Sequence, residues 1–431
     1  MVQAIIVLVF IVLMMALMVS GKCPTLIALP ILTVGIAIVC GLPLTGEESL
    51  LQTVIEDGAV RLSTNYAQVI IATWVGCLMA ATGITETMIR KAAEFGGDKT
   101  LVVTLLLFFV SIGIFAAVPG LGGVIMVGSI VLPILISVGV DKFTAASVLL
   151  LSYGAGENFS LTRTSYFAGV VGVEHSDVYF FCCILASVTA IAGLVYILVR
   201  YFKNGRKFAF SAKVNAIEEK TGNLKGFSGA MAMLTPFIPI LLVVALKWPI
   251  IPAFLVALVW AFVWTSKGKS WKEICNLFSK TCYNGFMDAA PCAALMIFIG
   301  MLLKVINTTA VNAVLAPLVN SITPTSPLTF ILFFAICAPL VLYRGPLNLY
   351  GLGAGIAALM TASGIVSPTM VFVGFVGVCA LQGSSCPTNT HNVWVCGFVD
   401  EEVTMVTRRQ LPYVWISSII TVAIGTLMYW G

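Results

Sequence analysis

The chain has 431 residues, of which 60% are hydrophobic and only 10% are charged, and its formal net charge is +5. A mean hydropathy of +1.06 excludes a soluble globular protein and indicates a membrane protein. The positive charges lie in loops and form no nucleic-acid-binding run, so we expect a lipid bilayer and no nucleic acid as partner. The 12 cysteines show no C-x-x-C spacing, which disfavours a disulfide framework and a metal cluster.

Apolar runs of the length that crosses a bilayer recur along the whole chain. A transmembrane helix needs about 20 mostly apolar residues. Clear examples are residues 4–19, 25–42, 67–83, 178–200, 231–246, 249–264 and 411–429. The first run has no basic segment before it, and a second apolar run follows almost at once, so we do not expect a cleaved signal peptide.

The second half of the sequence resembles the first half, about 225 residues later. Residues 105–120 read LLLFFVSIGIFAAVPG and residues 330–345 read FILFFAICAPLVLYRG, so that Gly120 falls on Gly345. After a slip of three residues, Thr162 falls on Thr390. Duplicated halves with interrupted apolar segments at matching positions are typical of secondary transporters.

A basic stretch separates the two halves and predicts their orientation. Residues 200–226 carry seven lysines and arginines against two glutamates, so the positive-inside rule places this linker in the cytoplasm. Other basic and acidic loops then alternate sides, provided that each half crosses the membrane an odd number of times. We therefore predict two repeats of inverted topology, 1–200 and 227–431, joined by a cytoplasmic linker, 201–226, with both termini outside.

Two segments in each half are too irregular for ordinary spans. Residues 105–139 break at 119–123, and their counterpart breaks at 344–348, so each is expected to form a re-entrant hairpin. Residues 143–173 and 368–399 break at 157–163 and 384–392, as expected for discontinuous helices at the midplane that line a cavity. The predicted fold is an all-α polytopic membrane protein with about five transmembrane helices plus one hairpin in each inverted repeat. A count of roughly fourteen full spans is the alternative.

The breaks in the discontinuous helices gather short polar side chains that could bind an anion and a cation. A broken helix offers free N–H groups to anions and free C=O groups to cations. Serine and threonine can instead bond back to their own helix, which is the competing interpretation. We assign substrate binding to Asn158, Ser160, Thr162, Asn348, Thr388, Asn389, Thr390 and Asn392, and cation coupling to Ser384 and Ser385.

Charged residues inside apolar stretches are costly in a bilayer and therefore suggest function. Arg344 lies at the second hairpin tip and could hold a carboxylate in bidentate fashion, whereas a snorkelling arginine is the alternative. Glu157 and Arg163 flank the first break, either as an internal ion pair or with Arg163 facing substrate and Glu157 coupling a cation. Asp288 is a candidate titrating carboxylate, or else caps a helix beginning near Pro291. His391, in the second break, is assigned to substrate binding.

Residues Asn158-Phe159-Ser160-Leu161-Thr162 and Thr388-Asn389-Thr390, together with the duplicated architecture, resemble the ion transporter superfamily of secondary carriers, which includes citrate, gluconate and C4-dicarboxylate permeases. The resemblance implies that the paired hairpin tips and helix breaks approach one another near the bilayer midplane and bind anion and coupling cation together. The sequence lacks the Ser-Asn-Thr triplet that some members use there.

The sequence as a whole predicts a cation-coupled symporter of a small organic anion, such as gluconate, citrate or a dicarboxylate, in the cell inner membrane. Na⁺ or H⁺ is the expected coupling ion; no cofactor is expected, and a homodimer is considered. A cation/proton antiporter without organic substrate is the first alternative. A membrane-embedded enzyme is disfavoured, since the sequence shows neither a metal-binding cluster nor a nucleophile with a base.

Overall fold

The computed structural model describes residues 2–20, 22–97, 99–203 and 224–430, and within these ranges the chain is all helical. Most of the predicted linker lies outside the described residues. The first half contains α1 (Val2–Val19), α2 (Thr25–Val39), α3 (Asp57–Val60), α4 (Ser63–Ala81), α5 (Ile84–Gly96), α6 (Thr100–Ala117), α7 (Leu121–Ser137), α8 (Lys142–Phe159), α9 (Leu161–Val171) and α10 (His175–Lys203). The second half contains α11 (Gly226–Ala232), α12 (Ile238–Leu246), α13 (Ile250–Thr265), α14 (Trp271–Ile306), α15 (Thr309–Ile322), α16 (Pro327–Cys337), α17 (Gly353–Ser363), α18 (Pro368–Ser385), α19 (Thr390–Val399) and α20 (Val403–Tyr429).

Eight helical segments in the described ranges are long and apolar enough to cross a membrane. They are Leu50–Ala81, Thr100–Ala117, His175–Lys203, Gly226–Leu246, Trp271–Ile306, Pro327–Arg344, Pro368–Val399 and Val403–Tyr429. The first of them includes a π-helical turn, Leu50–Glu56, which leads into α3 and α4. Shorter apolar helices, among them α2, α7 and α13, lie between these segments.

Two glycine contacts relate the long helices of the two halves. A Cβ built on Gly58 would lie 2.6 Å from the Met301 Cα atom, and one built on Gly285 would lie 2.6 Å from the Trp74 Cα atom. Adding 227 to 58 and 74 gives 285 and 301, so each contact is the counterpart of the other. Because the start of one segment lies beside the end of the other, Leu50–Ala81 and α14 run antiparallel.

The predicted hairpin segments differ from each other in their tips. In the first half the chain leaves the helical conformation only over 118–120, and Gly120 has a φ of 94°, which its lack of a Cβ permits. The predicted break at 119–123 was therefore shifted, since residues 121–123 already belong to α7. In the second half α16 passes into a 3₁₀ helix, Ala338–Arg344, and a loop over 345–352 precedes α17.

Two broken helices, α8–α9 and α18–α19, occupy the interior of the bundle. Every residue from 143 to 158 is buried, and so are all residues from 370 to 385. The first break is limited to Ser160, with φ −64° and ψ 120°, and the second covers only 386–389. The predicted breaks were too wide. Glu157 and Asn158 belong to α8, and the Asn158 Nδ2 atom donates to the Gly154 carbonyl oxygen at 2.8 Å, one turn back, so this polar group is satisfied inside the helix.

The second part of each broken helix packs against the other half of the molecule. Helix α9 lies on α17, and the Tyr166 hydroxyl donates to the Leu349 carbonyl oxygen at 2.9 Å. In the counterpart arrangement α19 lies on α7, where a Cβ built on Gly128 would lie 2.7 Å from the Trp394 ring. Each half of the molecule therefore contributes one short helix, α9 or α19, that packs against a helix of the other half at the centre of the bundle. We call this the exchanged packing.

The course of α14 excludes the interpretation that Asp288 caps a helix. The helix runs without interruption through Pro291, so Asp288 does not cap a helix beginning near that proline. A proline in a transmembrane helix is tolerated when neighbouring groups satisfy the carbonyl that it frees.

Candidate functional site

The broken helices α8 and α18 contact each other one turn before their breaks. A Cβ built on Gly383 would collide with the Glu157 carboxylate, and one built on Gly154 would lie 3.0 Å from the Ser384 Cβ atom. The absence of a side chain at these two positions therefore leaves room for Glu157 and Ser384 of the facing helices. The contact brings the residues of both breaks to one level in the centre of the bundle.

Arg163 and Glu157 form an ion pair in this buried region. The Arg163 Nη2 atom lies 3.5 Å from the Glu157 Oε1 atom, and the two side chains are 3% and 7% exposed. Arg163 also donates to the Asn158 Oδ1 atom and, at 3.5 Å, to the carbonyl oxygen of Cys379 in α18. Its guanidinium lies 4.6 Å from the Phe167 ring centroid. Arg163 therefore links the first break to the second half through protein contacts.

The hydroxyl groups at the first break bond to one another and to the backbone. Ser160 Oγ and Thr162 Oγ1 are 3.1 Å apart, and Thr164 Oγ1 donates to the Ser160 carbonyl oxygen at 2.9 Å. The Tyr179 hydroxyl donates to the last carbonyl oxygen of α8, that of Phe159, at 3.0 Å. Ser160 and Thr162 are both buried.

Side chains cap the carbonyl groups that end α18 at the second break. Asn389 and Gln382 exchange hydrogen bonds, since the Gln382 Nε2 atom donates to Asn389 Oδ1 at 2.9 Å and Asn389 donates to the Gln382 carbonyl oxygen. His391 Nε2 donates to the Gly383 carbonyl oxygen at 2.7 Å. Gln410, in α20, donates to the carbonyl oxygen of Ser384. Asn392 Nδ2 donates to that of Cys386 at 2.8 Å.

Each tip of the predicted hairpins contacts a broken helix. The Tyr153 hydroxyl of α8 accepts a hydrogen bond from the Gly120 amide at 3.3 Å. The ring centroids of Tyr153 and His391 are 4.3 Å apart. At the other tip the Tyr343 amide donates to Cys386 Sγ at 3.2 Å. Tyr153 thus joins the first tip to the second break.

Arg344 lies at the second tip on an unusual backbone. Both Tyr343 and Arg344 are left-handed, with φ of 55° and 57°, a conformation that costs about 1–3 kcal/mol for residues other than glycine and gathers at functional sites. The Arg344 side chain is half-buried, and a Cβ built on Gly351 would lie 3.7 Å from the Arg344 Cβ atom. The buried Asn348 side chain fixes the same loop, because it donates to the Val341 carbonyl oxygen at 3.1 Å and accepts from the Tyr350 amide at 2.8 Å.

Asp288 faces the first tip instead of the breaks. A Cβ built on Gly122 would lie 2.7 Å from the Asp288 Oδ2 atom, and the Cys77 thiol donates to that oxygen at 3.5 Å. The side chain is exposed although it lies inside a membrane-spanning segment. Its carboxylate is thus close to the free amide groups at the start of α7, where negative charge is favoured.

The structure gathers most of the predicted site residues and separates a few. Those that are buried at the crossing and the adjoining loop are Glu157, Asn158, Ser160, Thr162, Arg163, Asn348, Ser384, Ser385, Asn389, His391 and Asn392. Thr388 and Thr390 belong to the second break but are exposed, and Asp288 lies apart. Sequence reasoning missed Tyr153, Gln382 and Gln410. The two glutamines carried a signal, since polar side chains within apolar membrane helices usually face the bundle interior.

The donor atoms at the breaks suit an alkali cation better than a transition metal. In the described ranges no three histidine, cysteine or acidic side chains lie together as metal ligands. Amide, hydroxyl and backbone oxygens are present instead, and the Asn392 Oδ1 and Gln410 Oε1 atoms are buried without hydrogen-bond partners. Oxygen ligands of this kind are preferred by hard cations.

Comparison with known proteins identifies the fold. No protein-family model matches the chain, and a search of curated proteins gave no match. The solved structure of the Alcanivorax borkumensis YdaH transporter is similar over 99% of this chain and 99% of its own, with a TM-score of 0.63 and 13% identity. MtrF of Neisseria gonorrhoeae, described with a class of antimetabolite efflux pumps, is similar over 98% and 94%, with a TM-score of 0.59 and 14% identity. The chain is therefore a multi-pass membrane protein with the fold of these two transporters.

Proposed function

We propose that this protein is a secondary active transporter that moves a small organic anion together with Na⁺ or H⁺ by alternating access. The observation that carries the proposal is the crossing of two broken helices in the centre of the bundle, with charged and amide side chains buried around both breaks. Irregular backbone and buried charge are costly inside a membrane and are kept where they bind a solute.

The anion binds, in this proposal, between the second tip and the second break. Arg344 would supply the positive charge, because the neighbouring Tyr343 amide contacts Cys386 in the second break, and the start of α19, just after that break, would supply free amide groups. Arg163 is the less suitable of the two arginines for substrate, because its guanidinium already contacts Glu157, Asn158 and Cys379. A carboxylate such as gluconate, citrate or a dicarboxylate would match the fork of Arg344.

The coupling cation takes the oxygen-rich side of the crossing. Glu157, Ser384 and Ser385 are buried there, and Na⁺ could bind their oxygens, whereas H⁺ could bind a carboxylate. Asp288 is the second carboxylate candidate, because it contacts the first tip and its side chain is not buried by protein. Differential binding of cation and anion to the two conformations would drive the exchange between them.

Inverted repeats would supply those two conformations. The antiparallel contact of Leu50–Ala81 with α14, through counterpart glycines, supports opposite orientation of the halves in the membrane. The packing of α9 on α17 and of α19 on α7 supports coupling between the halves. Because α7 and α17 belong to the predicted hairpins, movement of either hairpin would displace the broken helix of the other half. The proposed location is the cell inner membrane, and the proposed assembly is a homodimer.

Uptake of radiolabelled gluconate, citrate and a C4-dicarboxylate into proteoliposomes tests the substrate class. The purified chain should accumulate at least one of the three above the level of empty liposomes, and an excess of unlabelled substrate should abolish the signal. Equal signals with and without protein for all three anions would contradict the assignment of an organic carboxylate.

Two other functions have specific support. A cation/proton antiporter is favoured by the buried Glu157 and the exposed Asp288, both of which could carry the ions without an organic substrate. Export instead of uptake is favoured by the likeness to MtrF. A pH change inside protein-containing vesicles on addition of Na⁺ alone would identify the antiporter, and loss of preloaded anion from the vesicles would identify export.

A further inference from the structure

Two arginines from different helices meet on one aromatic ring at the end of the bundle from which the linker departs. The Arg409 guanidinium carbon lies 4.6 Å from the Phe143 ring centroid, and that of Arg200 lies 5.5 Å from the same point. The two charged groups therefore cannot be further apart than the sum of these distances. Helices α8, α10 and α20 pack together here, so that the start of α8 and α20 and the end of α10 form one surface.

The surrounding charges leave an excess of positive charge at this surface. Arg200 forms an ion pair with Asp141, with 3.6 Å between Nη2 and Oδ1, and its Nε atom donates to Thr144 Oγ1 at 3.2 Å. Arg409 is exposed and forms no ion pair among the described residues. Five cations, which we call the basic cluster, lie at these three helix ends against the four carboxylates Asp141, Asp400, Glu401 and Glu402. The basic cluster consists of Lys142, Arg200, Lys203, Arg408 and Arg409.

Apolar side chains beside the basic cluster place it at the edge of the hydrocarbon region. Val195, about one turn inward from Arg200 in α10, is 43% exposed, and Ile416, two turns inward from Arg409 in α20, is 57% exposed. Both helices are membrane-spanning segments, and their charged ends therefore lie at the depth of the lipid headgroups. A ligand that combines a negative headgroup with acyl chains would satisfy both features.

We propose that the basic cluster binds the phosphate headgroup of an anionic phospholipid of the leaflet facing the linker. Arg409 and Arg200 would hold the phosphate from two sides, because guanidinium groups form charge-assisted hydrogen bonds with phosphate oxygens. The acyl chains would lie along Val195 and Ile416, on the hydrocarbon side of the arginines. Basic sites between transmembrane helices bind lipid headgroups in this way. The proposal does not depend on the identity of the transported solute.

Lipid binding to the purified full chain in neutral detergent tests the proposal. Native mass spectrometry and thermal unfolding should show that phosphatidylglycerol binds and raises the unfolding temperature more than phosphatidylcholine does. Arg409→Ala should reduce the affinity for phosphatidylglycerol about five-fold, the effect of roughly one interfacial cation. Lys91→Ala removes an exposed cation from α5 and should leave that affinity unchanged.

Several results would overturn the proposal. These are equal stabilisation by phosphatidylcholine, full affinity for phosphatidylglycerol in Arg409→Ala, or an equal loss in Lys91→Ala. Inorganic phosphate that competes at millimolar concentration would assign the basic cluster to a soluble anion instead of a lipid. If Arg409→Ala does not fold, Arg408→Ala carries the same expected loss, since its side chain is exposed.

Discussion

Two arginines lie inside the apolar part of this chain, and their surroundings predict opposite roles for them. Arg163 is 3% exposed and contacts a carboxylate, an amide oxygen, a backbone carbonyl and an aromatic ring. Arg344 is only half-buried, lies on a strained left-handed backbone, and forms no ion pair in the described ranges. We therefore expect Arg163 to hold the fold and Arg344 to bind the solute.

Substitution of Arg344 should affect transport and leave stability unchanged. Arg344→Lys keeps the charge but loses the bidentate fork, so substrate affinity should fall by about 1–3 kcal/mol, or roughly ten-fold to a hundred-fold. Arg344→Ala should abolish uptake, while its unfolding temperature and yield match those of the wild type. Normal affinity in Arg344→Ala would show that the anion binds elsewhere.

Substitution of Arg163 should mainly affect stability. Arg163→Ala leaves the Glu157 carboxylate buried without its ionic partner, which should cost about 3–5 kcal/mol in the free energy of unfolding. Glu157→Gln in the same chain removes the unpaired charge and should restore much of that loss, as measured by thermal unfolding in a double-mutant cycle. Additive effects of the two changes would show that the ion pair contributes no coupling energy.

At the scale of elements, the crossing of α8 and α18 depends on Gly383. Gly383→Ala should displace the Glu157 side chain from Arg163 and cost about 1–3 kcal/mol, the usual effect of overpacking. Gly397→Ala is the matched control, because a Cβ on this glycine of α19 meets no atom within 4 Å. Thermal unfolding of the two variants should separate them clearly. Equal stability would mean that the helices do not approach as closely as described.

The sequence predicted the presence of both broken helices but not their bounds. Pro/Gly content and clustered polar residues mark irregular segments, and these signals located the breaks to within a few residues. They could not tell that Asn158 bonds back to Gly154, which satisfies its amide group inside the helix, nor that four side chains cap the end of α18. Such bonds depend on side-chain geometry and on distant partners such as Gln410.

At the scale of the whole molecule, the proposed inverted topology predicts that the linker and the C-terminus lie on opposite sides of the membrane. Cysteines introduced by Lys213→Cys and Gly431→Cys, both outside the described residues, should react with an impermeant maleimide from opposite sides of sealed vesicles. The unsubstituted chain provides the background of its own exposed Cys275. Labelling of both positions from one side would contradict the inverted repeats.

The all-helical class and the membrane location followed from composition, because both depend on local properties that any window of the sequence displays. The exchanged packing of α9 on α17 and of α19 on α7 could not be predicted in this way. It joins residues more than 180 positions apart, such as Tyr166 and Leu349, and no periodic pattern reports such a contact. The same is true of Asp288: the sequence marks it as a candidate titrating carboxylate for cation coupling, but only the structure shows that it faces the first tip.

The most direct test of coupled transport is anion accumulation in proteoliposomes under an imposed Na⁺ or H⁺ gradient. The vesicles would contain the purified chain and no anion, with the substrate identified in the uptake screen supplied outside. We predict that an inward gradient of one of the two cations raises the internal anion above its external concentration. An ionophore that dissipates that gradient should remove the accumulation. Equilibration without accumulation under either gradient would contradict the proposed mechanism.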